Sequence, residues 1–503
     1  MEVGINNQNL SKVSVKNTGY NLFSSIILKI GGLIFTIIIA RMLLPELFGV
    51  YSLVLSIIAI FMVFTNFGLD DTLLRYLSIS IGRRKISQAR SYFRFLLRIK
   101  VLAVFIVVVM VIILSKLISY KLYQNPLLFY PLIFSCLFLI MESFWNFFST
   151  FFLALKELRI PTILGVFYQI FKISFSLLAL MILSDAFKVS GLFIAFFVSG
   201  AIVLFITILI LFKRDRNLFF GPKVYINKKK VLKFLEFMGV ASLSLVFFGS
   251  VDTLMLGKFV AFEYLGYYRV ALSLVLTIAA LFSLSGIFLP IFTQINGKRF
   301  SRGFHKTLRY ILIISIPATA GMIFIAKYLI KAIYGNEYIL GTIPLYFLAL
   351  LIVTTPLIGL YSIIFQSKEK PQIVSKSVLF SLFINILLNV LVIFLFKNNP
   401  LFMMAGVGLA TSLSRILLLG LLVFYAKKEF NFKVKGIGLR SPIFATAIMS
   451  IFLLAFSHFI NMNLFFGVLE IILGAGVYFG VLILTKGINR EDFGLIKGIF
   501  KRK

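Results

Sequence analysis

Solidly apolar stretches of about twenty residues, the length a helix needs to cross a hydrocarbon core of roughly 30 Å, recur from one end of the chain to the other. Membrane barrel strands are excluded, because those would alternate polar and apolar side chains. Fourteen stretches qualify: 17–40, 48–69, 95–115, 127–153, 160–183, 189–212, 235–257, 264–292, 307–332, 341–365, 374–396, 402–425, 441–460 and 464–485. The expected fold class is therefore all-α and polytopic, with about 14 transmembrane helices. A soluble domain is ruled out by composition, since 60% of residues are hydrophobic and 16% aromatic, against an apolar share near half in soluble proteins.

The chain also repeats itself. Arg41–Tyr51 reads RMLLPELFGVY and Lys258–Tyr268 reads KFVAFEYLGYY, so an offset of 217 pairs Arg41 with Lys258, Glu46 with Glu263, Gly49 with Gly266 and Tyr51 with Tyr268. Each copy closes one apolar run and opens the next. A second echo, ALKEL from Ala154 and QSKEK from Gln366, lies near the same offset. Two lobes of six spans are expected, at 1–217 and 228–428, followed by two additional helices and a basic cytoplasmic tail over 437–503. Six spans return the chain to its starting side, so the lobes are parallel repeats, the arrangement in which transporters enclose a central cavity that opens to either side in turn. The junctions at Arg41, Glu46, Lys258 and Glu263 are then an outer gate. The stretch from Lys213 to Lys230, charged and carrying Gly-Pro, reads as the surface linker between the lobes.

A net charge of +34 would point to nucleic acid in a soluble protein. Here the basic residues fall on alternate loops: Arg75 to Arg94, Lys213 to Lys230, Lys298 to Lys306, Lys427 to Arg440, and the tail Lys501–Lys503. Membrane orientation alone requires that pattern, which places both termini in the cytoplasm of a multi-pass cell-membrane protein and assigns no nucleic-acid partner. Met1 to Lys16 lacks the apolar core of a cleavable signal. The single cysteine, Cys136, excludes an intramolecular disulfide, and the two histidines, His305 in a basic loop and His458 at the end of a span, make no metal site. GVGLAT at Gly406 and GAGVYFG at Gly474 follow no strand and lack a phosphate-loop lysine, so no cofactor is expected and the small residues read as helix-packing contacts. Short outer loops leave no room for an extracytoplasmic catalytic domain, and an enzyme is not expected. Phe493, Ile496, Ile499 and Phe500 share one helical face of a tail helix suited to the inner leaflet.

Ionisable residues at mid-membrane cost on the order of 3 kcal/mol each, so each asks for a partner or a purpose. Lys29, Lys172, Arg269 and Arg415 lie in the first, fifth, eighth and twelfth runs, and against them stand only Glu142 in the fourth and Asp252 in the seventh. Cations facing a common cavity would hold a phosphate, pyrophosphate or acidic sugar. Glu142 and Asp252 are read as their ion-pair partners or as sites for a coupling proton or sodium ion. Gly31, Gly32 and Pro356 are candidate flexible points, with Pro356 expected to bend the tenth span.

Two six-span lobes, the RMLLPELFGVY junction with its FEYLGYYRVA echo, NFGLDDTLLRYL from Asn66 and IYGNEY from Ile333 together resemble the Wzx-type polysaccharide flippases of the multidrug/oligosaccharidyl-lipid/polysaccharide exporter superfamily. The likeness runs over nearly the whole chain. It implies a lipid-linked oligosaccharide as substrate, with a polyprenyl-pyrophosphate headgroup passing between the lobes, together with membrane lipids and other polysaccharide-assembly proteins as partners and a monomeric state. Lipid II flippases of the same superfamily carry arginines in the first, second and eighth spans. Here Lys29 and Arg269 fall in two of those spans while Arg75 lies at a cytoplasmic edge. A cation-coupled multidrug antiporter of the same fold would carry acids in the first lobe, where this chain has Lys29.

Overall fold

A computed structural model describes residues 7–222, 224–283, 292, 297–430, 439–460 and 464–487. The tail face from Phe493 to Phe500 and the basic residues Lys433 and Lys435 lie outside them. The described residues are helical throughout apart from short turns. Among the described residues, eleven helices, or up to twelve if one bent pair counts as a single span, are long and apolar enough to cross a membrane; fourteen spans were expected. The longest of these, Lys29–Gly82, has 54 residues, about 80 Å at 1.5 Å per residue, which exceeds twice a hydrocarbon core. It contains a break.

That break explains how the first junction is made. Helix α1 (Asn7–Asn66) leaves helical geometry only at Leu44, with φ 60 and ψ 171, immediately before Pro45. Proline removes an amide donor and pushes the residue before it out of the helical region, so a single Leu-Pro step replaces the loop expected between the first two spans. At its far end α1 turns through Gly68, at φ 77, into α2 (Leu69–Gly82), an amphipathic helix with Asp70 and Asp71 in its first turn. Acids there meet the positive end of the helix dipole.

The chain forms two compact units, Met1–Gly266 and Tyr267–Lys503. In the first, α3 (Ile86–Lys116), α4 (Phe129–Ala154), α5 (Arg159–Ile182) and α6 (Asp185–Arg214) surround α1. At one end of this bundle they share an aromatic core in which Phe93 meets Phe147, Phe148 and Phe151 with ring centroids 5.4–6.1 Å apart. After the short α7 (Asn217–Phe220), the stretch read as a linker is tied down. Arg90 pairs with Asp215 at 2.8 Å, Arg214 grips both oxygens of Glu157, and the buried Arg94 donates to the carbonyls of Gly221 and Pro222. Helix α8 (Lys228–Phe259) packs along the second half of α1: a methyl group at Gly239 would touch Phe67 at 2.5 Å and one at Gly257 would touch Leu53 at 2.9 Å.

In the second unit, α9 (Phe262–Leu281), which starts just before the unit boundary, is followed by α10 (Gly297–Tyr334), α11 (Thr342–Leu348), α12 (Leu351–Ser367), α13 (Pro371–Leu395), α14 (Pro400–Phe430), α15 (Arg440–Phe459) and α16 (Leu464–Leu484). His305 is not in a loop: α10 begins at Gly297, so the basic turns are a helical extension of the ninth span, and His305 Nδ1 bonds the Ser301 carbonyl at 2.7 Å. The bend of the tenth span is 47° and falls between Leu348 and Leu351. The helix α12 runs unbroken through Pro356, so the bend expected at the proline lies instead before the start of that helix.

Candidate functional site

The two copies of the junction motif meet, and they meet reciprocally. A methyl group at Gly49 would collide with the carbonyl oxygen of Phe262 and come within 3.2 Å of the Gly266 amide nitrogen; one at Gly266 would collide with the carbonyl oxygen of Pro45. Pro45 and Phe262 are themselves repeat equivalents at the same offset of 217. Each glycine therefore abuts the backbone four residues before the other, an approach that only a residue without Cβ permits. Arg41, Glu46 and Glu263 flank this contact as exposed side chains, and Lys258 is half-buried. Lys258 donates to the Leu122 carbonyl, and Tyr123 donates to the Leu254 carbonyl at 3.3 Å. Burial pushes the Tyr123 phenol up to about 12, so it remains a donor at physiological pH.

Below the junction the first unit holds a polar cavity of about 280 Å³ lined by Thr65, Asn66, Asp70, Lys100, Ser143 and Asn146, among others. Its floor is charged. Lys100, on α3, is 1% exposed, and its ammonium stands 3.9 Å from Asp70. Asp70 Oδ1 has no hydrogen-bond partner in the structure, while the Asp70 amide donates to Asn66 Oδ1 at 3.1 Å. Across the cavity Thr65 and Ser143 hydroxyls share a hydrogen bond of 2.7 Å. A separation of 3.9 Å is long for a charge-assisted bond. The arrangement leaves a buried cation with hydrogen-bonding capacity facing the cavity.

The residues expected to form the cationic site are distributed over both units. Lys29 is half-buried on α1; two residues on, Gly31 lets the helix approach Gln169 of α5, whose Cγ would lie 3.2 Å from an added methyl. Lys172, also half-buried, is held by aromatic faces: its ammonium lies 4.4 Å from the ring centres of both Phe35 and Phe196 and 6.0 Å from Tyr168. Each such contact contributes about 0.5–2 kcal/mol. Glu142 on α4 attracts Lys172 electrostatically and accepts a bond from Asn146, a cavity residue, at 3.5 Å. Asp252 is buried on α8. In the second unit the helices carrying Arg269 and Arg415 touch where Tyr268 meets the Thr411 hydroxyl at 3.5 Å, one residue from the first arginine and one helical turn from the second.

Three charged groups were missed in the sequence. Lys100 lies inside the third apolar run and Glu470 inside the fourteenth, so the rule applied to Lys29 and Glu142 would have found both, and the tally of two intramembrane acids was too low. Asp70 belongs to NFGLDDTLLRYL, which was read for its resemblance and not for its acids. Its pairing with Lys100 joins residues thirty positions apart across a helix turn and has no local signature.

The polysaccharide biosynthesis protein family model matches residues 14–296, and the lipid II flippase MurJ family model matches residues 222–474. No curated protein sequence matches the chain. Among solved structures, the lipid II flippase MurJ in an inward closed conformation superposes with a TM-score of 0.71 at 16% identity, covering 95% of this chain and 100% of that one. The Vibrio cholerae MATE transporter VcmN gives 0.58 at 15% identity, covering 84% and 98%. A transporter of the MOP superfamily from Pyrococcus furiosus, described as having a binding pocket of reversed polarity, gives 0.57 at 13% identity, covering 83% and 96%. At such identities these likenesses establish the fold, while the family matches establish membership: this multi-pass membrane protein belongs to the polysaccharide biosynthesis protein family and fits the Wzx-type flippases that its motifs resemble.

Proposed function

We propose that the chain carries a lipid-linked oligosaccharide, its glycan joined to a polyprenyl pyrophosphate, from the cytoplasmic to the outer leaflet by alternating access. The observation that carries this reading is the wholly buried Lys100 lining a polar cavity within helices long enough to span the membrane. A pyrophosphate in low dielectric is held by such a cation far more strongly than at a surface. In this reading Lys29, Lys172, Arg269 and Arg415 supply further positive charge along the path, and Glu142 and Asp252 balance it or take the coupling ion. Residues 1–217 and 228–428 act as the two rocking lobes, with the helices of 437–503 added to the second. The reciprocal Gly49 and Gly266 contact is the closed outer gate. The protein works as a monomer beside other polysaccharide-assembly proteins. Lipid II as substrate is favoured by one observation, the MurJ family match over 222–474. The two substrates are separated by asking which lipid-linked glycan relieves a depleted cell.

Two experiments test this reading. Lys29→Ala and Arg269→Ala are each expected to weaken glycan export about tenfold or more, as loss of one charge-assisted contact worth about 1.5–3 kcal/mol implies, while the protein still accumulates in the membrane. Unimpaired export by the double variant would remove both residues from the path. Orientation is tested by cysteines at Asn336 and Asn399, which should label from outside, and at Arg84 and Lys229, which should label only after permeabilisation. External labelling at Lys229 would reverse the topology.

A further inference from the structure

The last helix carries an acid for which the export path has no task. Glu470 on α16 is 1% exposed, and its Oε2 has no hydrogen-bond partner in the structure. It lines a groove of about 420 Å³ between α10 and α16, together with Tyr328 and Lys331. A carboxyl buried without a partner in an apolar helix is costly to keep, and a ligand that brings a cation or a donor relieves that cost. The groove is open where such a ligand would lie: a methyl group added at Gly467 or at Gly321 meets nothing within 4 Å. Through Ile325, Leu329 and Ile471 it continues into a second recess of about 340 Å³, lined almost entirely by apolar side chains such as Pro317, Met449 and Leu453. The result is a long apolar trough with one acid and one base at a single end.

We propose that this trough binds an amine-bearing phospholipid of the phosphoethanolamine class, its ammonium on Glu470, its phosphate on Lys331 and an acyl chain along the apolar recess. Lys331 is exposed and its flexible stem reaches headgroup depth, as lysines near helix ends do. Glu470 lies less than two turns from Leu464, where α16 begins, so both charges sit near one membrane surface. A purely anionic lipid would place its phosphate beside the buried carboxylate, and a hydrocarbon chain alone would leave Glu470 unpartnered. A quaternary choline headgroup carries the charge without N–H donors and forms the weaker contact.

The test is native mass spectrometry of the purified full chain offered equal amounts of phosphatidylethanolamine, phosphatidylcholine and phosphatidylglycerol. The wild-type protein should retain phosphatidylethanolamine in preference to both others. Glu470→Gln, which keeps the side-chain shape, should reduce that retention about tenfold or more, and Gly467→Leu, which fills the groove and leaves the charge, should reduce it as well. Retention by Glu470→Gln equal to wild type, or preference for phosphatidylglycerol or phosphatidylcholine, would overturn the proposal. Because the readout is binding, the outcome is independent of whether the chain moves a glycan.

Discussion

Gly49→Leu or Gly266→Leu should abolish export while leaving the protein inserted in the membrane. At each glycine the obstacle to a side chain is backbone, the carbonyl of Phe262 in one case and of Pro45 in the other, so no rotamer change can make room. Overpacking typically costs about 1–3 kcal/mol even where side chains can yield. Here the two strands of chain must separate, and on the proposed reading of this contact as the outer gate, a gate that cannot close loses its function. Reciprocity adds a second expectation. Gly49→Ala and Gly266→Ala disrupt one contact from opposite sides, so combining them should cost less than the sum of the two, with a coupling of about 0.5–3 kcal/mol in a double-mutant cycle. Gly249→Ala is the control, because a methyl group there meets nothing within 4 Å. Strict additivity would show that the glycines do not share a contact.

Lys100→Met should be the most damaging single change outside the junction. It removes the cation beside Asp70 and leaves that part-buried carboxylate, 18% exposed, without its ion partner, a loss of about 1–3 kcal/mol. Thermal unfolding of the purified protein should report it directly. Adding Asp70→Asn removes the orphaned charge as well, and replacing both members of a buried pair is often close to neutral, so stability should largely return. Export should not, since the cavity has lost its cation. Recovery of export along with stability would make the pair purely structural, and wild-type stability of Lys100→Met would dismiss the pairing.

Much of this architecture was legible in the sequence because a bilayer imposes a simple rule, that every spanning segment is apolar and helical. The junction was legible for a different reason. Duplication wrote the same glycine into both halves, and the structure brings Gly49 and Gly266 together. What could not be read was where one apolar helix stops and the next starts when a single Leu44–Pro45 step separates them, since composition does not change across it. Nor did the charge of Lys172 reveal its setting. Its partners Phe35 and Phe196 come from α1 and α6, and aromatic residues are so frequent in these helices that none stands out. The stretch from Lys213 was read from its charges and its Gly-Pro as a surface linker; what could not be read is that Arg90 and Arg94 of α3 and Glu157 bind its side chains and carbonyls.

The most direct test is a translocation assay with the purified protein in liposomes loaded with a polyprenyl-pyrophosphate-linked oligosaccharide, reading the share of glycan that an external lectin can reach. The protein used should carry cysteines at Glu46 and Glu263, both exposed beside the glycine contact, so that a cleavable crosslinker can hold the junctions together. The expected result is that external glycan accumulates before crosslinking, stops when the junctions are joined and resumes when the crosslink is cut. Accumulation that continues unchanged with the junctions joined, or glycan that never crosses in any state, would contradict the account.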